Sequence, residues 1–155
     1  KYVHLASTIF FLPYGCAIDE FQHIVYENPD MTPDERKKAY LELEKKYRPY
    51  VDYDGIDYLE RGGFWQRQGH IYRSPFYYID YCLAQVCAFQ FWSKSQKKFT
   101  DAWTDYLTLC KAGGSDSFLG LVKLANLQSP FNADVFEPLF KEVEAYLNSV
   151  NDKAM

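Results

Sequence analysis

Leu59 to Trp92 reads LERGGFWQRQGHIYRSPFYYIDYCLAQVCAFQFW, and its second half decides the fold. Ser74 can cap a helix, Pro75 suits a first helical position because its missing N–H would be unpaired there, and nothing from Phe76 to Trp92 breaks the run. Apolar residues lie on every side of this predicted helix, the pattern of a helix buried inside a helical domain. The residues are chemically unusual. Tyr77, Tyr78 and Tyr81 carry phenols that need partners when buried, and Asp80 is a charge that is costly to bury unpaired. At helical spacing Tyr78, Tyr81 and Gln85 form one stripe and Tyr77, Asp80 and Ala84 the next, with His70 close enough in sequence to join them. Arg61, Arg67 and Arg73 are the candidate partners for a buried Asp80.

Outward from this stretch the pattern stays helical. Lys1 to Leu12 reads as the end of a helix begun upstream, interrupted or kinked at Pro13 and Gly15, and Cys16 to Tyr26 as a second, stopped by Asn28 and Pro29. Glu20 and His23 have the Glu-x-x-His spacing of half a di-iron set, but a second such motif is missing. Thr32-Pro33-Asp34-Glu35 is a capping box opening a charged outer helix, in which Glu42 stands four residues before Lys46. Asp54-Gly55 marks a turn. Gly62-Gly63 either closes a short helix or lets the backbone approach a ligand. Ser93 to Lys98 reads as a polar turn. Beyond it Phe99, Trp103, Tyr106, Leu107 and Cys110 form an apolar stripe ended by Gly113-Gly114, and Ser115 to Ser117 caps a short helix through Leu127. The last helix carries Phe136, Leu139, Phe140, Val143, Leu147 and Val150 on one face, with Asn132 or Asp134 as its cap and a frayed tail after Asn151. The expectation is a single all-α domain over 1–155, a helical bundle.

With 155 residues, 48% of them hydrophobic, the chain can bury one core. Aromatic content of 19%, with 14 Tyr, requires an amphipathic interior or a cleft wall. A net charge of −4 without a basic stripe argues against a nucleic-acid partner. Asp80, Gln85 and Gln90 make the longest apolar run a poor membrane span, so no membrane partner is expected. Cys16, Cys82, Cys87 and Cys110 are expected to be free, buried thiols, three of them on apolar helix faces. No signal peptide is visible, and a chain beginning at Lys1 reads as cut from something longer.

Three strings carry a resemblance: LERGGFWQRQ, HIYRSPFYYIDY and LAQVCAFQFW, joined by FLPYGCAIDEFQHIVYENP (Phe11 to Pro29) and the SPF of Ser129 to Phe131. Together they resemble the C-terminal part of the M3 family of zinc metallopeptidases, the oligoendopeptidase F branch. The resemblance implies a mostly helical, zincin-type cytoplasmic enzyme that cleaves short peptides, with zinc held by a HExxH helix and a later glutamate. It further implies that His70, Tyr81 and Tyr78 face the metal and steady the tetrahedral intermediate; beside them Tyr77, Gly62 and Gly63 are the candidate residues against the peptide. No HExxH occurs here; the histidines are His4, His23 and His70. The chain is therefore expected to be a C-terminal fragment holding one wall of an active site. Its metal ligands would lie in the N-terminal remainder of the enzyme, its natural partner, and the fragment would hold no zinc, cleave no peptide and self-associate. The rival reading is a non-catalytic helical interaction module.

Overall fold

In the computed structural model residues 2–151 are described, so the tail expected to fray lies outside them. Among them are eight α-helices: α1 (Tyr2–Glu27), α2 (Pro33–Tyr47), α3 (Asp57–Glu60), α4 (Gly69–Arg73), α5 (Ile79–Lys97), α6 (Phe99–Ala112), α7 (Phe118–Leu124) and α8 (Phe136–Ser149). Single 3-10 turns stand at Phe64–Arg67 and Ala133–Val135, and the described residues include no strand, as an all-α chain requires. The chain divides into two compact units, Ser7–Cys82 and the remainder.

The Ser7–Cys82 unit is built on α1. Instead of two helices broken at Pro13 and Gly15, α1 is one helix with Pro13 inside it. A proline removes one backbone donor, and the apolar positions on both sides outweigh that loss by packing. Gly15 is needed for a different reason: a Cβ there would sit 2.1 Å from the Cys82 Sγ. The capping box forms as expected. Glu35 N donates to Thr32 Oγ1, and the Glu35 carboxylate accepts from the Thr32 backbone N–H at 2.7 Å.

The charged helix is nevertheless not solvated on every face, because Tyr40, Leu43 and Glu44 are buried. Glu42 pairs with Lys45 and not with Lys46, which reaches across to Glu20 on α1 at 2.8 Å. Ala17, Ile18 and Phe21 of α1, Tyr40 and Leu43 of α2, and Trp65 make the core, with Phe21 4.8 Å from Trp65 and 5.5 Å from Tyr40. Each large side chain so buried contributes about 1.5–3 kcal/mol. Gly62 and Gly63 close α3, their N–H groups donating to Leu59 O and Tyr58 O. Both are buried, Gly62 against the Lys37 carbonyl of α2 and Gly63 against the Tyr58 ring, so neither has an open face for a ligand.

The second unit is organised on α5, α7 and α8, where Val86, Phe89, Val122, Leu139 and Val143 are buried and Phe89 meets Phe140 edge-on at 6.1 Å. Buried Gln90 is paired twice with the Gln128 backbone, donating to its carbonyl at 3.0 Å and accepting from its N–H at 2.8 Å. Three expectations are corrected. Ser93 to Lys97 does not turn but continues α5: Ser93 bonds Glu142, and Lys94 bonds Asp105 and the Asn126 carbonyl, so the polar residues have partners along a helix. Burial on α5 is confined to one face, Cys82, Val86, Phe89, Gln90 and Ser93, and does not extend to all sides. The apolar stripe of α6 faces outward, and it is Ala102 that is buried.

The cap expected for α8 is corrected: Asn132 Oδ1 accepts from Asp134 N and caps the preceding 3-10 turn, and α8 follows directly on that turn from Val135 without a side-chain cap. All four cysteines are free. The burial expected of them is corrected: Cys82 is buried, Cys16 and Cys87 are only partly so, and Cys110 is exposed with the rest of its outward stripe. No described helix is long and apolar enough to cross a membrane.

Candidate active site

The expected helix start at Ser74-Pro75 is replaced by a turn, and that turn shapes the candidate site. Phe76 adopts φ +61, a left-handed conformation that costs a bulky residue about 1–2 kcal/mol. It is held there from two directions. Its N–H donates to Gln22 Oε1 of α1 at 2.9 Å, and its ring packs on His23 and Tyr26 at 4.9 and 5.0 Å. Helix α5 consequently begins at Ile79, with Tyr77 and Tyr78 in the turn and Tyr81 in the first helical turn.

The four expected side chains come together within this unit. The His70 ring lies 5.0 Å from Tyr78, 5.5 Å from Tyr81 and, parallel to it, 6.4 Å from Tyr77. Tyr81 stands 5.5 Å from both Tyr77 and Tyr78, edge to face. His70 Nε2 lies 3.2 Å from the Tyr81 hydroxyl oxygen. The cluster is open: Tyr81 is 42% and Tyr77 50% exposed, while His70 and Tyr78 are half-buried. Burial pushes the Tyr78 phenol up from its ordinary value, so it stays protonated and able to donate. Beside Tyr78 a hollow of about 470 Å³ opens between α1 and the 3-10 turn, lined among others by Phe11, Tyr14, Arg67 and Gln68.

One further residue meets His70, and a second holds that residue in turn; neither was given a role from the sequence. Gln68 Nε2 lies 2.6 Å from His70 Nδ1, and Tyr14 of α1 donates its hydroxyl to Gln68 Oε1 at 2.9 Å. Gln68 is two residues from His70, so its spacing was visible. Tyr14 lies 54 residues away from Gln68, and no local pattern points to it.

Asp80 departs from expectation, since it is exposed and needs no buried partner. Arg61 pairs instead with Asp57 of α3 at 2.8 Å, and Arg67 lies 4.9 Å over the Phe64 ring. The Glu-x-x-His pair is engaged elsewhere too: Glu20 accepts from Lys46 and Tyr47, and His23 lies against Asp19 and Phe76. Among the described residues no group of three or more His, Cys, Asp and Glu side chains could hold a metal ion.

No protein-family model matches the chain, and comparison with curated proteins gives no match. Solved structures do match. One bearing the name oligoendopeptidase F is 60% identical over 99% of this chain and 27% of its own, with a TM-score of 0.95. PZ peptidase A, solved with an inhibitor, is 59% identical over 97% of this chain and 27% of its own, TM-score 0.93. A third, assigned as an oligoendopeptidase F of Bacillus anthracis strain Ames, is 45% identical over 99% of this chain and 24% of its own, TM-score 0.79. The chain thus has the sequence and fold of a helical portion of a peptidase. More narrowly it is an oligoendopeptidase F-like segment, spanning about a quarter of the length of the structures it matches.

Proposed function

We propose that this chain forms one wall of the active-site cleft in a peptidase that hydrolyses short peptides. Tyr81 donates its hydroxyl hydrogen to the oxygen that becomes negative as the scissile carbonyl is attacked. A phenol is suited to that donation because it is neutral near neutral pH, offers one directed hydrogen bond, and is positioned before the charge develops. His70 holds the Tyr81 oxygen from behind, Tyr78 lines the same wall, and Tyr77, the most exposed ring of the cluster, lies against the peptide. The observation that most supports the reading is the pairing of His70 Nε2 with the Tyr81 hydroxyl in a cluster that stays open to solvent.

The resemblance adds zinc, whose ligands would come from elsewhere in the full-length protein, the remainder of which is the chain's partner. The 155-residue chain alone would then neither retain zinc nor cleave peptides. The test is Tyr81→Phe in the full-length protein: kcat should fall about 10²–10³-fold while KM stays within a few-fold. Unchanged turnover overturns the reading.

A further inference from the structure

We infer that Gln68, oriented by Tyr14, is a positioning residue that fixes which ring nitrogen of His70 carries the proton, and thereby turns the hydroxyl proton of Tyr81 away from His70 and outward. The inference rests on the proposed role of Tyr81 and supplies what that role lacks, a reason for the phenol to donate outward and not to its neighbour.

Three contacts in series determine where the protons lie. Tyr14 is a partly buried phenol whose pKa is pushed up to about 12, chiefly by burial, so its oxygen keeps its proton and has one to donate. Gln68 Oε1 takes it at 2.9 Å. With the carboxamide oxygen turned to α1, its NH₂ faces His70, and an amide nitrogen can only donate. At 2.6 Å from that nitrogen, His70 Nδ1 must present a lone pair. A neutral imidazole with Nδ1 bare carries its proton on Nε2. Nε2–H then donates to the Tyr81 oxygen at 3.2 Å.

The phenol oxygen is thereby an acceptor toward His70, and its own O–H cannot point there. The edge-on rings of Tyr77 and Tyr78, each 5.5 Å from that of Tyr81, fix the ring plane, and the 42% exposure of Tyr81 leaves the outward direction open. The opposite tautomer would reverse the last bond: a bare Nε2 would accept the Tyr81 proton and consume the donor. A carboxamide two residues from the imidazole, read by a tyrosine on another helix, therefore decides whether the donor is free.

The test uses the full-length protein with ¹⁵N-labelled histidine, the His70 ring signals being assigned by their loss in His70→Asn. At about pH 8, where an ordinary imidazole is neutral, the wild-type protein should show Nδ1 unprotonated and Nε2 protonated. Gln68→Glu introduces a carboxylate that can only accept, so the proton should move to Nδ1. Turnover should fall about 10–100-fold with KM nearly unchanged. Tyr14→Phe frees the amide to rotate and should shift both readouts the same way by less. A wild-type ring protonated on Nδ1 overturns the inference whatever the Gln68 and Tyr14 variants do. A tautomer that reverses in Gln68→Glu while turnover holds also overturns it. Tyr81→Phe separates the two failures: if that variant is slow, only the positioning of Tyr81 by Gln68 is wrong, and if it too is unchanged, the proposed role of Tyr81 falls with it.

Discussion

Replacing Gln22 with leucine should loosen the turn that carries the phenols into place. Gln22 is 1% exposed, and its carboxamide works as a clamp, donating to the Ile18 carbonyl at 3.2 Å and accepting from Phe76 N–H at 2.9 Å. Leucine keeps the volume and removes both bonds. The Ile18 carbonyl loses little, because it remains inside the backbone ladder of α1. Phe76 N–H loses its partner, at a cost of about 1–3 kcal/mol for a buried donor.

Two effects trim that figure. Phe76 is 36% exposed, so water reaches part of the turn, and a buried leucine regains about 1 kcal/mol of apolar transfer. The net is at most about 2 kcal/mol, acting on a residue already held at φ +61. Because the loss is local, it should raise the open population of Ser74–Tyr78 by up to about tenfold, at about 1.4 kcal/mol per decade. Native-state hydrogen exchange of the full-length protein, followed on the peptide covering that turn, reads this directly.

Gln22→Glu is the control with a sign. Its protonated carboxyl offers one donor and one acceptor, as the amide does, and burial raises its folded-state pKa. Its stability relative to wild type should be fullest at low pH and be lost as pH rises through the raised value. Exchange at the turn that is unchanged in Gln22→Leu would refute the clamp.

Three further outcomes follow from the packing. Gly62→Ala should destabilise the protein by at least about 2 kcal/mol, because φ is +81 and a Cβ would lie 2.0 Å from the Lys37 carbonyl oxygen. Gly114→Ala, where nothing lies within 4 Å, should be near neutral, and equal urea midpoints for the two would contradict that contrast. Cys16 should be alkylated by iodoacetamide before Cys87 at neutral pH, since a hydrogen bond from the Cys82 thiol brings Cys16 down to about 7 while burial pushes Cys87 up; peptide mapping of the native protein decides. Glu20 is held below the usual carboxylate range by Lys46 and then Tyr47, so its contribution to stability is present above that range and lost as pH falls through the lowered value. Glu20→Gln should flatten the acid limb of the stability profile, and an identical profile would mean that the pairing contributes nothing.

The sequence carried the local signals and missed those that depend on distant partners. The start of α2 was legible because Thr32, Pro33 and Glu35 complete a cap among themselves. The gathering of His70, Tyr77, Tyr78 and Tyr81 was legible from short spacing and from the resemblance. The start of α5 was not, although Ser74-Pro75 is a good helix opening taken alone. Gln22, far back on α1, ties Phe76 N–H into another conformation, and a long-range hydrogen bond overrides the local preference. Pro13 misled in the opposite sense, because packing along α1 outweighed one missing donor. Asp80 reads as buried from the apolar run around it, but its position on α5 lies off the one face that the fold covers.

The outward stripe of α6 gives a last prediction. Phe99 is 65%, Trp103 49%, Tyr106 44% and Leu107 37% exposed, and Phe99, Trp103 and Tyr106 are stacked in a continuous ridge at 6.2 and 5.7 Å. A ridge this apolar left in water favours association. The chain spans about a quarter of the length of the structures it matches, so the covering surface proposed here is the rest of the full-length protein. Two measurements then move in opposite directions. In the isolated chain Trp103→Lys should reduce self-association, read by sedimentation, with little effect on unfolding. In the full-length protein the same substitution should cost about 2–4 kcal/mol, because it would place an unpaired charge in a packed interface. Acrylamide should quench Trp103 in the isolated chain more than in the full-length protein, the other tryptophans being replaced by phenylalanine. Equal quenching in the two would mean that the ridge stays bare, and the stripe would then have to be explained by a partner other than the chain's own parent.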